Sequence, residues 1–365
     1  MSFRKAYART FGPLLSAFSK RRKRDTYNPK REAITAPDIP TVYTIYDYNE
    51  GKCERIATDQ LVHCMPHTHD THNTWINVDG LRKEEVERLC ANFGIHPLLT
   101  EDILSTGQRA KADDMDSHLF CLLPMLTYNQ DTGLIHTEQL SIVLGDNYVI
   151  SFQPDPKQDP FDPLREKLRN DLAPVRKKTV DYLAYCLIDA VVDDYFTVLE
   201  KLSDRLEKLE DEVVIKPNSA VLLKITLLRQ EIMVVKRAIS PVRELVNSFW
   251  HSDNELIREI NHKYFKDIYD HISLAIEYTE NYREVAINLQ DLYMNQVNTR
   301  MNEVMKILTV VTTLLAPATV IGGIFGMNFD IIPFQHHHHG FIIAVVSMLS
   351  ISVLMLLLFR KKGWF

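Results

Sequence analysis

The sequence predicts an α/β domain, then a long helical stalk, then two C-terminal transmembrane helices. Three observations carry this reading. Alternating strand patterns stop near Phe152; leucine and valine recur at three- and four-residue spacing from Val180 onward; and Ile307–Phe325 and Phe341–Phe359 each run 19 residues without a charge. Such runs are long enough to cross the roughly 30 Å hydrocarbon layer as helices. A simple soluble protein is thereby excluded.

Composition adds an asymmetry. The 365 residues carry 42 Lys and Arg against 48 Asp and Glu, a net charge of −6. Residues 1–31 hold ten basic side chains and one acid, Asp25, so this segment carries +9 and the remainder −15. Residues 1–38, basic and containing Pro29 and Pro37, read as a disordered or weakly amphipathic arm. Five cysteines (Cys53, Cys64, Cys90, Cys121, Cys186) are scattered ahead of the spans, which fits a reducing cytosol better than a disulfide framework. No secretory signal is expected, because Phe11–Phe18 is broken by Gly12 and Pro13 and precedes the basic run.

Residues 39–160 form the α/β domain. Thr41–Tyr48 and Thr74–Val78 read as strands, and Leu81–Phe93, opening after Asp79-Gly80, as a helix. His118–Tyr128 is a third strand, and Glu138–Leu144 with Tyr148–Phe152 a hairpin around Gly145-Asp146-Asn147. Residues 161–252 are a helical hairpin: Val180–Val214, with Leu199, Leu202, Leu206 and Leu209 on one face, then Ser219–Phe249, which Pro241 bends or interrupts. Ser252-Asp253-Asn254-Glu255 supplies capping residues for a third helix that meets no Pro or Gly before Pro317. It serves as the stalk over 253–304 and as the first span over 305–326. An external loop, 327–340, a second span, 341–360, and a basic tail, 361–365, complete the chain.

Charge orients the hairpin. Arg300 and Lys306 precede the first span, Arg360, Lys361 and Lys362 follow the second, and Gly326–Gly340 contains no Lys or Arg. Short loops rich in Lys and Arg stay inside, so both termini are expected in the cytoplasm. Two helices cannot enclose a pore, so conduction requires several copies around an axis.

A seam of three- and four-residue steps descends the third helix through Asp291, Met294, Asn298, Asn302, Met305, Leu308 or Thr309, Thr312, Ala316, Thr319 and Gly323. Polar groups at membrane depth tend to face a bundle interior or a water-filled cavity. The plainer reading is that Thr and Gly allow close packing and bond back to helix carbonyls.

Gly326-Met327-Asn328, directly after Gly322-Gly323-Ile324-Phe325, and the run from Asn302-Glu303-Val304-Met305-Lys306 to Asn328-Phe329-Asp330 resemble the CorA family of divalent-cation (Mg²⁺/Co²⁺) transport channels. The two-span C-terminal hairpin, Pro317 and the closing Lys362-Gly363-Trp364 agree. So do Ile95-His96-Pro97-Leu98, Glu101-Asp102-Ile103-Leu104, Gln108-Arg109 and Phe265–His271 upstream. The resemblance covers most of the chain after residue 40. It implies a funnel-shaped homopentamer with a cytosolic α/β domain, in the cell's inner (plasma) membrane, whose first spans line the pore.

The resemblance also implies roles. Asn328 forms the outer ring that receives a hydrated cation, with Gly326 and Met327 shaping the turn. Thr319, Met305 and Asn302 match polar or gating positions, Leu308 a hydrophobic constriction, and Asp291 a ring of carboxylates at the cytosolic end; Thr312 joins the pore-lining set through the seam. Asp102 and Asp267 of adjacent subunits, with Asp270 nearby, match acids that bind regulatory Mg²⁺ and hold the pore shut. Mg²⁺ surrenders its water reluctantly, so a neutral amide entrance that bonds the hydration shell suits it.

The external loop departs from the family pattern. Pro333 is followed by Phe334-Gln335 and then His336, His337, His338 and His339, which leaves Asp330 as the loop's one acid. Four histidines suit Zn²⁺, Ni²⁺ or Co²⁺; a solvated loop is the preferred reading. A second cluster, His63, Cys64, His67, His69 and His72, has zinc ligand types but no standard finger spacing, and a polar loop is preferred there too. The expected function is potential-driven Mg²⁺ uptake, with Co²⁺ or Ni²⁺ as further cargo. The alternatives are a zinc transporter of the same superfamily, coupled to protons, and a non-conducting metal sensor. The expected partners are further copies of the chain and the lipid bilayer, with no nucleic acid and no organic small-molecule substrate. Neither a phosphate-cradling glycine loop nor a nucleophile with its base is visible, so an enzyme is not expected.

Overall fold

The computed structural model describes residues 39–65, 72–115, 117–130, 133–155, 159–170, 174–215, 217–327 and 338–364. The basic arm over 1–38, together with His67, His69, Asn328, Asp330, His336 and His337, lies outside them. The chain divides into two compact units, one over 1–207 and 226–286 and the other over 208–225 and 287–365.

The first unit is built on a seven-stranded mixed sheet. The strands are β1 (Val42–Tyr48), β2 (Cys53–Thr58), β3 (Asn73–Asp79), β4 (Lys111–Met115), β5 (His118–Asn129), β6 (Leu134–Leu144) and β7 (Tyr148–Gln153), in the order β2-β1-β3-β7-β6-β5-β4. Among the described residues only β3 and β7 pair in parallel, with Thr74 opposite Tyr148 and Asp79 opposite Gln153. A parallel pair needs a crossover, and the chain supplies it through α1 (Lys83–Asn92), α2 (Pro97–Leu104) and β4 to β6. Every residue of β7 is buried, as expected where helices cover both faces of a sheet.

Alternation decides the faces. Ile76 and Val78 join Val86 and Leu89 of α1, Leu99 and Ile103 of α2, and Ile45, Phe120, Val143 and Ile150 in one apolar core. Trp75 points the other way, stacks on Tyr46 at 5.2 Å, meets Phe161 edge-on at 6.0 Å and donates its indole N–H to Ser151 Oγ at 2.9 Å. That second face is closed by α3 (Asp162–Arg169), through Leu164 and Leu168, and by α4 (Val180–Ile215), whose Tyr195 hydroxyl donates to the Pro124 carbonyl at 2.5 Å.

Five strand expectations hold their places; two further strands, β2 and β4, lie outside the reading. Both are edge strands. The sequence of β2, Cys53-Glu54-Arg55-Ile56-Ala57-Thr58, and that of β4, Lys111-Ala112-Asp113-Asp114-Met115, are charged and half-exposed. Charge blunts a sheet edge against foreign pairing and also erases the apolar alternation that marks a strand.

The helices α4 and α5 (Ser219–Trp250) match their expected spans, and α5 continues through Pro241 without a break. The third helix, α6, spans His262–Phe325, 64 residues, so its start near Asp253 is corrected by nine residues. The capping side chains close a turn in place of a helix: Asn254 Oδ1 accepts the Leu256 N–H at 2.9 Å, and its amide donates to Asp114 at 2.7 Å. Asp181, at the start of α4, then accepts the Arg258 N–H at 2.9 Å and the Asn261 amide at 2.8 Å, which holds the approach to α6 out of helical form.

The second unit contains the C-terminal part of α6 and α7 (Gly340–Lys361), both long and apolar enough to cross a membrane. Within it the hydroxyl of Ser352 on α7 donates to the Leu314 carbonyl on α6.

Candidate ion pathway and metal sites

The seam expected along α6 is exposed in the second unit. Asp291, Asn302, Met305, Leu308, Thr312 and Thr319 all reach the surface, with Met305 and Leu308 each 55% exposed; the apolar Ile307, Val311, Leu315 and Val320 are exposed beside them, and Val310 is buried. Each threonine hydroxyl is spent locally. Thr309 Oγ1 donates to the Met305 carbonyl at 2.7 Å, Thr312 to those of Leu308 at 2.9 Å and Thr309 at 3.0 Å, and Thr319 to that of Leu315 at 3.1 Å. Back-bonding is therefore present. It also decides what these side chains offer outward: an oxygen whose proton serves the helix presents lone pairs and accepts. A row of acceptors suits the water protons of a hydrated cation.

At the end of α6 the Gly326 N–H reaches the Gly322 carbonyl at 3.0 Å and the Met327 N–H reaches that of Ile324 at 3.3 Å, so the helix closes in a turn just before Asn328. His338 and His339 lie exposed ahead of α7, their rings 4.8 Å apart and edge to face.

In the first unit α2 owes its start to the His96-Pro97 pair. His96 Nδ1 accepts the Leu98 N–H at 3.2 Å, and Pro97, which has no N–H to satisfy, takes the first helical position. Asp102 follows on the same short helix. Its carbonyl accepts the side-chain amides of Gln108 at 3.3 Å and Gln139 at 3.1 Å. Its carboxylate accepts the Lys111 ammonium at 2.5 Å, and the same ammonium lies 3.0 Å from Asp113. Burial works to lower the Lys111 ammonium, but its two carboxylate partners outweigh that and hold it above the ordinary lysine range.

Asp267 and Asp270 lie exposed on α6. Near Asp267 lies a group that sequence reading missed: Asp189 and Asp193 of α4 and His271 of α6 place one ligand atom each within 4.8 Å of one another. Burial first, then the Asp193 charge, pushes the Asp189 carboxyl up to about 6; Tyr185 and His271 oppose this and Asp267 adds to it. His271 Nδ1 is buried without a hydrogen-bond partner. The only sequence signal was the spacing of Asp189 and Asp193, which puts two carboxylates on one helix face.

The His63 to His72 cluster disperses as far as it is described. Cys64 is fully buried in the apolar core, and burial pushes its thiol up to about 12. It packs as a side chain of that core. His63 Nδ1 pairs with the Thr58 hydroxyl at 3.1 Å, and His72 lies against Asn49 at 3.2 Å and Asp47 at 3.4 Å.

Residues 70–361 match the family described as "CorA-like Mg2+ transporter protein". The chain belongs to the CorA family. It is 37% identical over 323 residues to the cobalt/magnesium transport protein CorA of Thermotoga maritima, a match that covers 88% of this chain and 90% of that one. Among solved structures it resembles the complete CorA magnesium transporter of Methanocaldococcus jannaschii, with a TM-score of 0.74 at 23% identity over 88% of this chain and 98% of that one. The full-length CmaX protein follows at a TM-score of 0.68 and 21% identity, over 90% and 99% of the two chains. CorA membership places the apolar helices in a family of membrane transporters. The mixed sheet, the long α6 and the two apolar C-terminal helices constitute the shared fold.

Proposed function

We propose that the chain is one subunit of a homopentameric channel that carries Mg²⁺ into the cell, with Co²⁺ or Ni²⁺ as further cargo. Both termini lie in the cytoplasm and α6 lines the pore. The observation that carries this reading is the exposed seam of α6, a row of outward-facing acceptors on its otherwise apolar last stretch, Ile307–Phe325, which leads into Gly326-Met327-Asn328. The name of the Thermotoga relative, a cobalt/magnesium transport protein, supports the choice of ions.

In this reading Asn328 receives the hydrated ion, Thr319 and Thr312 accept from its water shell, and the Leu308 ring interrupts the wet path. A hydrated divalent ion does not cross a dry apolar ring cheaply, so small changes in ring diameter open or close the pore. The driving force is the membrane potential, about 4.6 kcal/mol per 100 mV for a double charge. Asp102 and Asp267 of neighbouring subunits, with Asp270, bind cytosolic Mg²⁺ and hold the closed ring together. Hard carboxylate oxygens fit that ion.

Uptake into liposomes holding the purified protein, with Mg²⁺ and Zn²⁺ compared with and without a pH gradient, tests the reading. Mg²⁺ entry without a proton requirement, abolished by Asn328→Ala, is expected. Zinc entry without magnesium entry overturns it. The four loop histidines favour that second reading, zinc transport. Replacing His336 to His339 by alanine leaves Mg²⁺ flux near normal in the first case and removes transport in the second.

A further inference from the structure

The carboxylate expected to bind regulatory Mg²⁺ already holds a cation. Lys111 opens β4, one of the two edge strands of the described sheet, and its ammonium lies 2.5 Å from Asp102 Oδ2 and 3.0 Å from Asp113 Oδ2. Lys111 and Asp113 stand two residues apart on one strand, so their side chains share a face. The backbone at Asp102 is fixed by the Gln108 and Gln139 amides, which leaves rearrangement at this site to the side chains. With side chains 35% and 34% exposed, Lys111 and Asp113 have room to move, while Asp102, at 20%, is the more enclosed partner.

We propose that Lys111 is a tethered competitor of Mg²⁺ for Asp102, so that its ammonium sets the cytosolic Mg²⁺ concentration at which the pore closes. The inference rests on the reading of Asp102 as a regulatory ligand. A divalent ion cannot take Asp102 Oδ2 while an ammonium sits against it, because both need the same lone pairs and repel each other. Asp113 gives the displaced ammonium a second carboxylate, so it moves across one strand face without being stranded unpaired. The exchange trades one ion pair for a stronger one. Its consequence is a weaker and more tunable response to Mg²⁺ than a bare carboxylate site gives. A structural role for the same ion pair predicts the opposite: losing Lys111 would loosen α2 and impair Mg²⁺ binding.

Mg²⁺ titration of the purified full-length protein in detergent, read as the midpoint of protection against limited proteolysis and of the rise in unfolding temperature, separates the two. Lys111→Met lowers the midpoint at least about fivefold, the lower end of coupling between linked ligands. Lys111→Arg, which keeps the charge, stays near the parent. Asp102→Asn raises the midpoint, and adding Lys111→Met to it produces no further lowering. A raised or unchanged midpoint in Lys111→Met beside a raised one in Asp102→Asn overturns the competitor and leaves Asp102 a ligand. An unchanged midpoint in Asp102→Asn overturns the reading beneath it. Should Lys111→Met fail to fold, Asp113→Asn serves: without its second carboxylate the ammonium stays on Asp102 and the midpoint rises, and an unchanged value counts against the proposal.

Discussion

Ser352 on α7 donates its hydroxyl to the backbone carbonyl of Leu314 on α6 at 3.0 Å, three residues before Pro317 of the same helix. Proline brings no N–H, so the Thr313 carbonyl four residues back loses its helical donor, one residue from the carbonyl that the serine reaches. Within hydrocarbon such a carbonyl has no water to turn to. Ser347 behaves differently and bonds back to its own helix at Ala344, 2.8 Å away. Ser352→Ala is therefore expected to destabilise the detergent-solubilised protein by about 0.6 kcal/mol, the average for hydrogen bonds between membrane helices, and by no more than about 1.7. Thermal unfolding should show Ser352→Thr retaining the parent value and Ser347→Ala close to it; equal losses in the two alanine variants would remove the interhelical role.

A second expectation concerns pH. Glu138 is buried on β6, and burial pushes its carboxyl up to about 7; the Asp155 N–H, 2.5 Å away, pulls it back, while the charges of Asp155, Asp159 and Asp79 push it further. A carboxyl whose value is raised in the folded state holds its proton more tightly there than in the unfolded chain. Stability is then greatest at low pH within this window, falls as pH rises from about 4.5 to 7, and stays low above it. Asp189, pushed up to about 6, acts with the same sign. The metal-free protein should unfold at a higher temperature at pH 5.5 than at pH 7.5, and Glu138→Gln should narrow that gap. Each kcal/mol corresponds to about 2–4 °C for a domain of this size. A gap of the parent's size in Glu138→Gln would assign the effect to other carboxyls.

What the sequence disclosed follows from how each feature is encoded. The strands β1, β3 and β7 were legible because each carries buried apolar residues in a short run bounded by turn formers. The strands β2 and β4 were not, since their place is decided by pairing with β1 and β5 and their own residues are charged. The start of α6 was misplaced because Asn254 and Asp253 have the chemistry of helix caps and are used in a turn held by Asp181, a residue more than seventy positions away. The seam on α6 was readable from spacing alone, being confined to one helix. The group formed by Asp189, Asp193 and His271, and the pairing of Lys111 with Asp102, depend on elements distant in sequence that the fold brings together, and no local pattern announces them.

The last expectation separates a pore from mere packing along α6. Thr312 and Thr313 are neighbours with the same chemistry, and both hydroxyls donate to the Thr309 carbonyl, at 3.0 and 2.7 Å. Thr312 lies exposed on the seam, whereas Thr313 is half-buried one step around the helix. Valine has nearly the shape of threonine and lacks the oxygen, so each replacement removes a local back-bond, shared with the Leu308 carbonyl in the case of Thr312, and one acceptor. If these threonines only satisfy helix carbonyls, the two variants should lose equally little. If Thr312 accepts from the water shell of a passing ion, Thr312→Val should cut Mg²⁺ flux several-fold while Thr313→Val stays near the parent. Both should unfold within about 1 kcal/mol of it, since the lost bond is local. Mg²⁺ uptake by liposomes holding equal amounts of each variant decides between them, and equal losses would return the seam to packing.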